Sequence, residues 1–127
     1  MIKPYLYLDN AYSKGRGIFT KQKIAANTVI EDSPVIVMTS EERALLDKTL
    51  LHDYIFEWGS NKDKCCMALG FVSVYNHSYE SNCEYFMDFE KEMIVIKTIR
   101  QVEKGEELTI NYNGDWNDSK QVWFEVE

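Results

Sequence analysis

Short runs of β-branched and aromatic residues recur along this chain, and turn-forming residues separate them. Runs of this composition bounded by Gly, Pro, Asn, Asp or Ser are typical of β-strands. The pattern therefore predicts a mainly β domain with short helices. The predicted strands are Ile2–Leu8, Ile18–Thr20, Thr28–Glu31, Val35–Met38, Cys83–Asp88, Met93–Thr98 and Leu108–Tyr112.

Turn residues set the limits of these strands. Phe89–Glu92 predicts the loop of a hairpin, and Asp32–Pro34 predicts a turn between two further strands. Gly15–Gly17 and Lys104–Gly105 predict tight turns before the second and the last strand. No linker, repeat or low-complexity segment interrupts the series. The chain is therefore expected to form a single domain over residues 1–127.

One helix start is visible. Thr39 followed by Glu42 has the spacing of a capping box. Apolar residues after it could form one face of a helix of about ten residues that extends toward Tyr54. These residues are Ala44, Leu45, Leu46, Leu50 and Leu51.

Composition limits the partners of such a domain. A net charge of −7 disfavours nucleic-acid binding, which depends largely on Lys and Arg at phosphates. A basic polypeptide is a more natural partner, although on charge alone solubility is the better explanation. Three cysteines do not make a disulfide framework. Without an apolar run of roughly 20 residues or a signal peptide, an intracellular protein is expected.

Three segments carry candidate chemistry. Gly15-Arg16-Gly17 allows backbone to approach a ligand closely, but an ordinary tight turn explains it as well. Asn76–Cys83 is a polar segment that follows an apolar run. It could be a surface loop, carry a glycosylation sequon at Asn76 or provide a metal ligand at His77. Gly105–Tyr112 reads as a turn and a strand that ends in tyrosine, a residue more often used for packing.

Taken together and in this order, these motifs resemble those of the SET-domain family of protein-lysine methyltransferases. The resemblance rests on Asn-His-Ser-x-x-x-Asn from Asn76 and Gly-Glu-Glu-Leu-Thr-x-x-Tyr from Gly105, and it covers residues 11–112. It implies a β-clip fold of several small curved sheets with a C-terminal pseudoknot. The absence of cysteine-rich flanking motifs makes the chain similar to small viral and bacterial members, with no metal site expected.

The resemblance also implies a cofactor, S-adenosyl-L-methionine. The backbone of Gly15, Arg16 and Gly17 would lie along its amino-acid and sulfonium end. The amide of Asn76 would bind that end, because an amide offers both donors and an acceptor to a zwitterion. His77 would contact the adenine mainly through its backbone.

Tyr112 matches the catalytic tyrosine of the family, and Tyr85 matches a second tyrosine at the lysine channel. Tyr54 would line the same channel or pack in the core. Trp116, in the aromatic tail at residues 113–127, would help to close the channel, unless the tail serves stability or a dimer contact.

The substrate implied is a lysine in a basic protein, with a histone as one option. The enzyme would act in the cytoplasm, or in a host nucleus if it is viral or a secreted effector. No membrane or nucleic-acid contact is expected, and a homodimer is compatible with the sequence. The alternative function is a catalytically silent SET fold that serves as a protein-interaction module.

Overall fold

The computed structural model describes residues 1–12 and 15–112 of the chain. Within these ranges the protein forms nine strands and one α-helix. The elements are β1 (Leu6–Asn10), β2 (Arg16–Thr20), β3 (Val29–Met38), α1 (Ser40–Leu46), β4 (Ile55–Trp58), β5 (Lys64–Ala68), β6 (Asn76–His77), β7 (Cys83–Asp88), β8 (Met93–Thr98) and β9 (Glu107–Ile110). The predicted mainly β architecture with short helices is confirmed.

The smaller sheet brings distant parts of the sequence together. Its four strands lie in the order β1-β2-β9-β6. β9 pairs antiparallel with β2 on one side and parallel with β6 on the other, where Asn76 faces Thr109 and His77 faces Ile110. A parallel pair needs a long connection, so this contact joins the middle of the chain to its C-terminal part. The adjacency agrees with the pseudoknot that the family resemblance implies, while the threading itself stays a prediction.

The larger sheet contains the hairpin that the sequence predicts. Its five strands lie in the order β4-β5-β3-β8-β7. β7 and β8 pair along their whole length, from Cys83 opposite Thr98 to Asp88 opposite Met93. Both strands therefore have the predicted limits, with Phe89–Glu92 as their loop.

The predicted turn at Asp32–Pro34 is wrong, because these residues lie inside the ten-residue strand β3. β3 pairs with β8 through Pro34, and from Val35 onward it pairs with β5. Pro34 lies where the strand changes partners, and there its missing N–H interrupts little of the ladder. The first and last strands are also shifted, since β1 ends at Asn10 and β9 ends at Ile110.

The predicted capping box is present, but the helix is shorter than expected. The Thr39 side chain accepts from the backbone of Glu42, whose carboxylate accepts from the backbone of Thr39. α1 ends at Leu46, and Thr49 caps a separate 3₁₀-helix at Leu50–Asp53. The predicted apolar face is not a core face, because no residue of either helix is buried.

The core holds the motif strands in place. It is built from fully buried aliphatic side chains of both sheets, including Ile18, Ile30, Ile94, Ile96, Leu108 and Ile110. Burying such a side chain contributes roughly 1.5–3 kcal/mol. The strands that carry the sequence motifs are thereby fixed relative to each other. The aromatic tail at 113–127 lies outside the described residues.

Candidate active site

The glycines of the first motif have different roles. Gly15 has φ +81°, a left-handed conformation that side chains rarely adopt, so it lets the chain turn into β2. Gly17 is needed for space, because a Cβ there would lie 2.9 Å from the amide nitrogen of Asn76 and would also overlap the carboxylate of Glu107. The backbone of this segment therefore lies directly against the second and third motifs.

Asn76 ties the three motifs to one another. Its amide nitrogen donates to the carbonyl oxygen of Arg16 at 3.0 Å and to the carboxylate of Glu107 at 2.7 Å. Both amide protons are thus used within the protein, so the carbonyl oxygen Oδ1 is the atom that would meet the amine of a ligand. The predicted cofactor-binding residues Gly15, Arg16, Gly17 and Asn76 lie together.

His77 connects this region to Tyr112. Its Nδ1 accepts a hydrogen bond from the backbone N–H of Tyr112 at 2.9 Å, which assigns the ring proton of the neutral tautomer to Nε2. The ring packs against Tyr79 and Tyr112 at centroid distances of 4.6 and 5.1 Å. Burial lowers the pKa of His77, so the ring is held in its neutral form. This geometry favours a structural role for the side chain.

Tyr112 lies between the motif strands and a groove. Its hydroxyl donates to the backbone carbonyl of Tyr75 at 2.6 Å. Burial raises the pKa of the Tyr112 phenol well above its usual value, and Tyr54, Glu107 and Tyr85 raise it further. The hydroxyl is therefore neutral at physiological pH, and it can orient a ligand without acting as a base.

Tyr85 lies on β7 beside Tyr112. Its hydroxyl donates to the backbone carbonyl of Tyr112 at 3.4 Å, and its ring packs edge-on against Phe56 with centroids 5.4 Å apart. Burial raises the pKa of Tyr85 to about 12, with a smaller contribution from Glu57. Both predicted catalytic tyrosines are thus neutral and in contact.

A groove of about 740 Å³ opens beside these tyrosines. Tyr54, Tyr85 and Tyr112 all line it, so the fold brings the three together. Tyr54 is 44% exposed, which excludes the alternative of a core residue. The fourth predicted substrate contact, Trp116, lies outside the described residues. The other lining residues include three aromatic and three acidic side chains: Phe56, Phe86, Phe89, Asp47, Asp53 and Glu57.

Arg43 in the groove wall is paired with two of these acids. The Arg43 guanidinium lies 3.3 Å from Glu57 and 4.0 Å from Asp47, and it also donates to the carbonyl of Lys62 at 2.7 Å. The groove therefore combines aromatic surface with carboxylates, a combination suited to a lysine stem and its ammonium group.

Sequence reasoning did not identify three residues that shape the site. Glu107 holds Asn76, Tyr75 receives the hydroxyl of Tyr112, and Phe56 supports Tyr85. Glu107 could have been selected because it belongs to the third motif. No local pattern indicates Tyr75, since its contact with Tyr112 spans 37 positions.

Within the part of the chain that the structure describes, no group of three or more His, Cys, Asp or Glu side chains is arranged to hold a metal ion. In those same ranges, no helix has the length and apolar character needed to cross a bilayer.

Comparison with known proteins agrees with this geometry. The SET domain family model matches residues 15–113, which include every motif described above. The chain belongs to the SET-domain family.

Two relatives define the neighbourhood more closely. The chain is 34% identical over 128 aligned positions to a histone-lysine N-methyltransferase of Schizosaccharomyces pombe specific for lysine 37 of histone H3, and the match covers 100% of this chain and 82% of that protein. It also superposes with a TM-score of 0.68 and 26% identity on the crystal structure of a candidate histone methyltransferase from Plasmodium falciparum, covering 91% of this chain and 98% of the other.

Proposed function

We propose that this protein transfers a methyl group from S-adenosyl-L-methionine to the ε-amine of a lysine in a histone or another basic protein. The enzyme class, protein-lysine methyltransferase, follows from family membership and from the fission-yeast relative. The observation that carries the proposal is the position of Tyr112. Its backbone N–H donates a hydrogen bond to His77 of the Asn-His-Ser motif, and the residue lines the aromatic groove.

The residues around Asn76 fit the proposed cofactor. Gly17 lets the backbone approach the amide nitrogen of Asn76 closely, and the Oδ1 of the same amide can accept from an α-ammonium group. The Glu107 carboxylate adds negative charge near the expected site of a sulfonium. When bound, S-adenosyl-L-methionine supplies a methyl group made electrophilic by its attachment to positive sulfur.

The groove prepares the lysine to react. An amine must be neutral to attack, and removal from water lowers a lysine pKa from its reference value of about 10.4. Tyr112 and Tyr85 would orient that amine through their neutral hydroxyls. The lysine ammonium would first lose a proton to solvent, and the neutral amine held by these residues would then accept the methyl group that the cofactor supplies, with the electron pair of the C–S bond left on sulfur.

The substrate class follows from charge and from the relative. Asp53 lines the groove beside Asp47 and Glu57, which Arg43 partly neutralises, and the chain as a whole carries a net charge of −7. This negative potential attracts the basic residues that surround lysines in histone tails. The fission-yeast relative acts on histone H3. We therefore propose histone H3 as the first substrate to test, which would require activity in the nucleus.

Transfer can be tested with deuterated-methyl S-adenosyl-L-methionine, purified core histones and a set of non-histone basic proteins. Peptide mass spectrometry should find the heavy methyl group on lysine. Substitution of that lysine by arginine in the substrate should abolish the label. Cofactor binding without transfer to any of these proteins would support the catalytically silent interaction module instead.

A further inference from the structure

A buried carboxylate lies behind the candidate active site. Glu31 is fully buried on β3 and accepts three hydrogen bonds. The Tyr75 hydroxyl donates to Oε1 at 2.8 Å, while the Ser33 hydroxyl and the Phe71 N–H donate to Oε2 at 2.7 and 2.8 Å. A buried carboxylate is costly unless such donors surround it.

Two backbone features build this arrangement. The register of β3 against β8 shifts between Val29 and Glu31, and this bulge lets both Ile30 and Glu31 point into the core. Gly70 leaves room for the carboxylate, because a Cβ at that position would overlap both Glu31 Oε2 and the Ser33 hydroxyl. The strand and the loop are therefore both shaped around this one acid.

Tyr75 links the carboxylate to the active site. Its side chain ends at Glu31, and its backbone carbonyl accepts the hydroxyl of Tyr112 at 2.6 Å. Tyr75 is itself fully buried, so its ring is held by the core as well as by the hydrogen bond. One residue thus connects Glu31 to the hydroxyl that the proposed mechanism uses.

We propose that Glu31 and Tyr75 are positioning residues that fix the direction of the Tyr112 hydroxyl. The inference rests on the proposed function. With Tyr75 anchored, its carbonyl accepts the hydrogen bond from the Tyr112 hydroxyl. The lone pairs of the Tyr112 oxygen are then left to accept from an amine N–H or to contact the polarised methyl group. Loss of the anchor lets the carbonyl move and the hydroxyl rotate, which disorders the reacting groups.

A matched pair of variants tests whether Tyr75 positions the Tyr112 hydroxyl. Tyr75→Phe and Ser33→Ala each remove one donor to Glu31, so both should lower the melting temperature. Only Tyr75→Phe breaks the connection toward Tyr112. It should lower kcat at least about fivefold with little change in the KM for S-adenosyl-L-methionine, whereas Ser33→Ala should keep kcat within about twofold of wild type.

A double-mutant cycle with Tyr112→Phe supplies the second readout. If Tyr75 acts through the Tyr112 hydroxyl, adding Tyr75→Phe to Tyr112→Phe should lower kcat no further. If Tyr75→Phe does not fold, Glu31→Gln is the second variant, because an amide has one acceptor oxygen in place of two and cannot accept at both the Tyr75 and the Phe71 positions; it should also lower kcat with little change in KM.

Equal kcat values for Tyr75→Phe and Ser33→Ala, or an undiminished effect of Tyr75→Phe in the Tyr112→Phe background, would overturn the inference and leave the proposed function intact. A folded wild-type protein that transfers no methyl group to any substrate would instead contradict the proposed function, and this inference with it.

Discussion

Asn76→Ala tests whether the three motifs form a cofactor site. The substitution removes an amide that donates to the Arg16 carbonyl and to the Glu107 carboxylate. It also removes Oδ1, the proposed acceptor for the cofactor ammonium. The variant should therefore lose some stability and a larger share of its affinity for S-adenosyl-L-methionine.

The expected sizes follow from these bonds. Leaving the half-buried carboxylate of Glu107 without the amide should cost about 1–3 kcal/mol of unfolding free energy, whereas the exposed carbonyl of Arg16 can bond to water instead. Loss of a hydrogen bond to a charged ammonium costs about 1.5–3 kcal/mol of binding free energy. At about 1.4 kcal/mol per factor of ten, this corresponds to a rise in Kd of roughly 10- to 100-fold.

Isothermal titration calorimetry on the folded variant measures this Kd, and thermal unfolding measures the stability. Asn61→Ala is the matched control, because it removes the same amide from an exposed turn. Its Kd should equal that of the wild type. An unchanged Kd for folded Asn76→Ala would remove Asn76 from the cofactor site and refute the reasoning that joins the motifs.

Three further predictions concern neighbouring residues. Gly17→Ala should weaken cofactor binding in calorimetry by at least about tenfold, because its Cβ would press on the Asn76 amide, 2.9 Å away. Burial lowers the pKa of His77 below its ordinary 6.5, so the His77 ring is protonated at a higher pH in the unfolded chain than in the folded protein. The stability that depends on neutral His77 is therefore complete above about pH 6.5 and is lost as the pH falls through the folded pKa. His77→Asn should therefore reduce the fall in melting temperature between pH 8 and pH 5. An unchanged fall would exclude His77 as its source. Tyr85→Phe should change the number of methyl groups added, read by peptide mass spectrometry, more than the rate of the first transfer.

Local patterns predict the parts of this fold that depend on neighbours in sequence. The hairpin of β7 and β8 has its predicted limits, and the capping box at Thr39 is present. Both features depend on residues only a few positions apart. The family and the enzyme class, identified from the spacing of the motifs, are likewise confirmed.

Features that depend on distant contacts could not be predicted in this way. The Asp32–Pro34 segment has turn composition, yet pairing with β8 makes it a strand. The apolar residues of α1 suggested a core face, but Leu45 is 66% exposed. The sequence around Glu31 does not indicate its burial, because the buried site is made by a bulge in β3 and by the distant Gly70. The assigned roles of the site residues remain predictions.

The most direct test of the account is the single-turnover rate of methyl transfer by Tyr112→Phe, measured with saturating S-adenosyl-L-methionine and a lysine peptide that the wild type methylates. Loss of the orienting hydroxyl should lower this rate at least about tenfold, or about 1.4 kcal/mol of transition-state stabilisation. Cofactor affinity should change little, because the ring that packs on His77 remains. Methyl transfer at the wild-type rate would show that Tyr112 is not the catalytic residue and would contradict the mechanism.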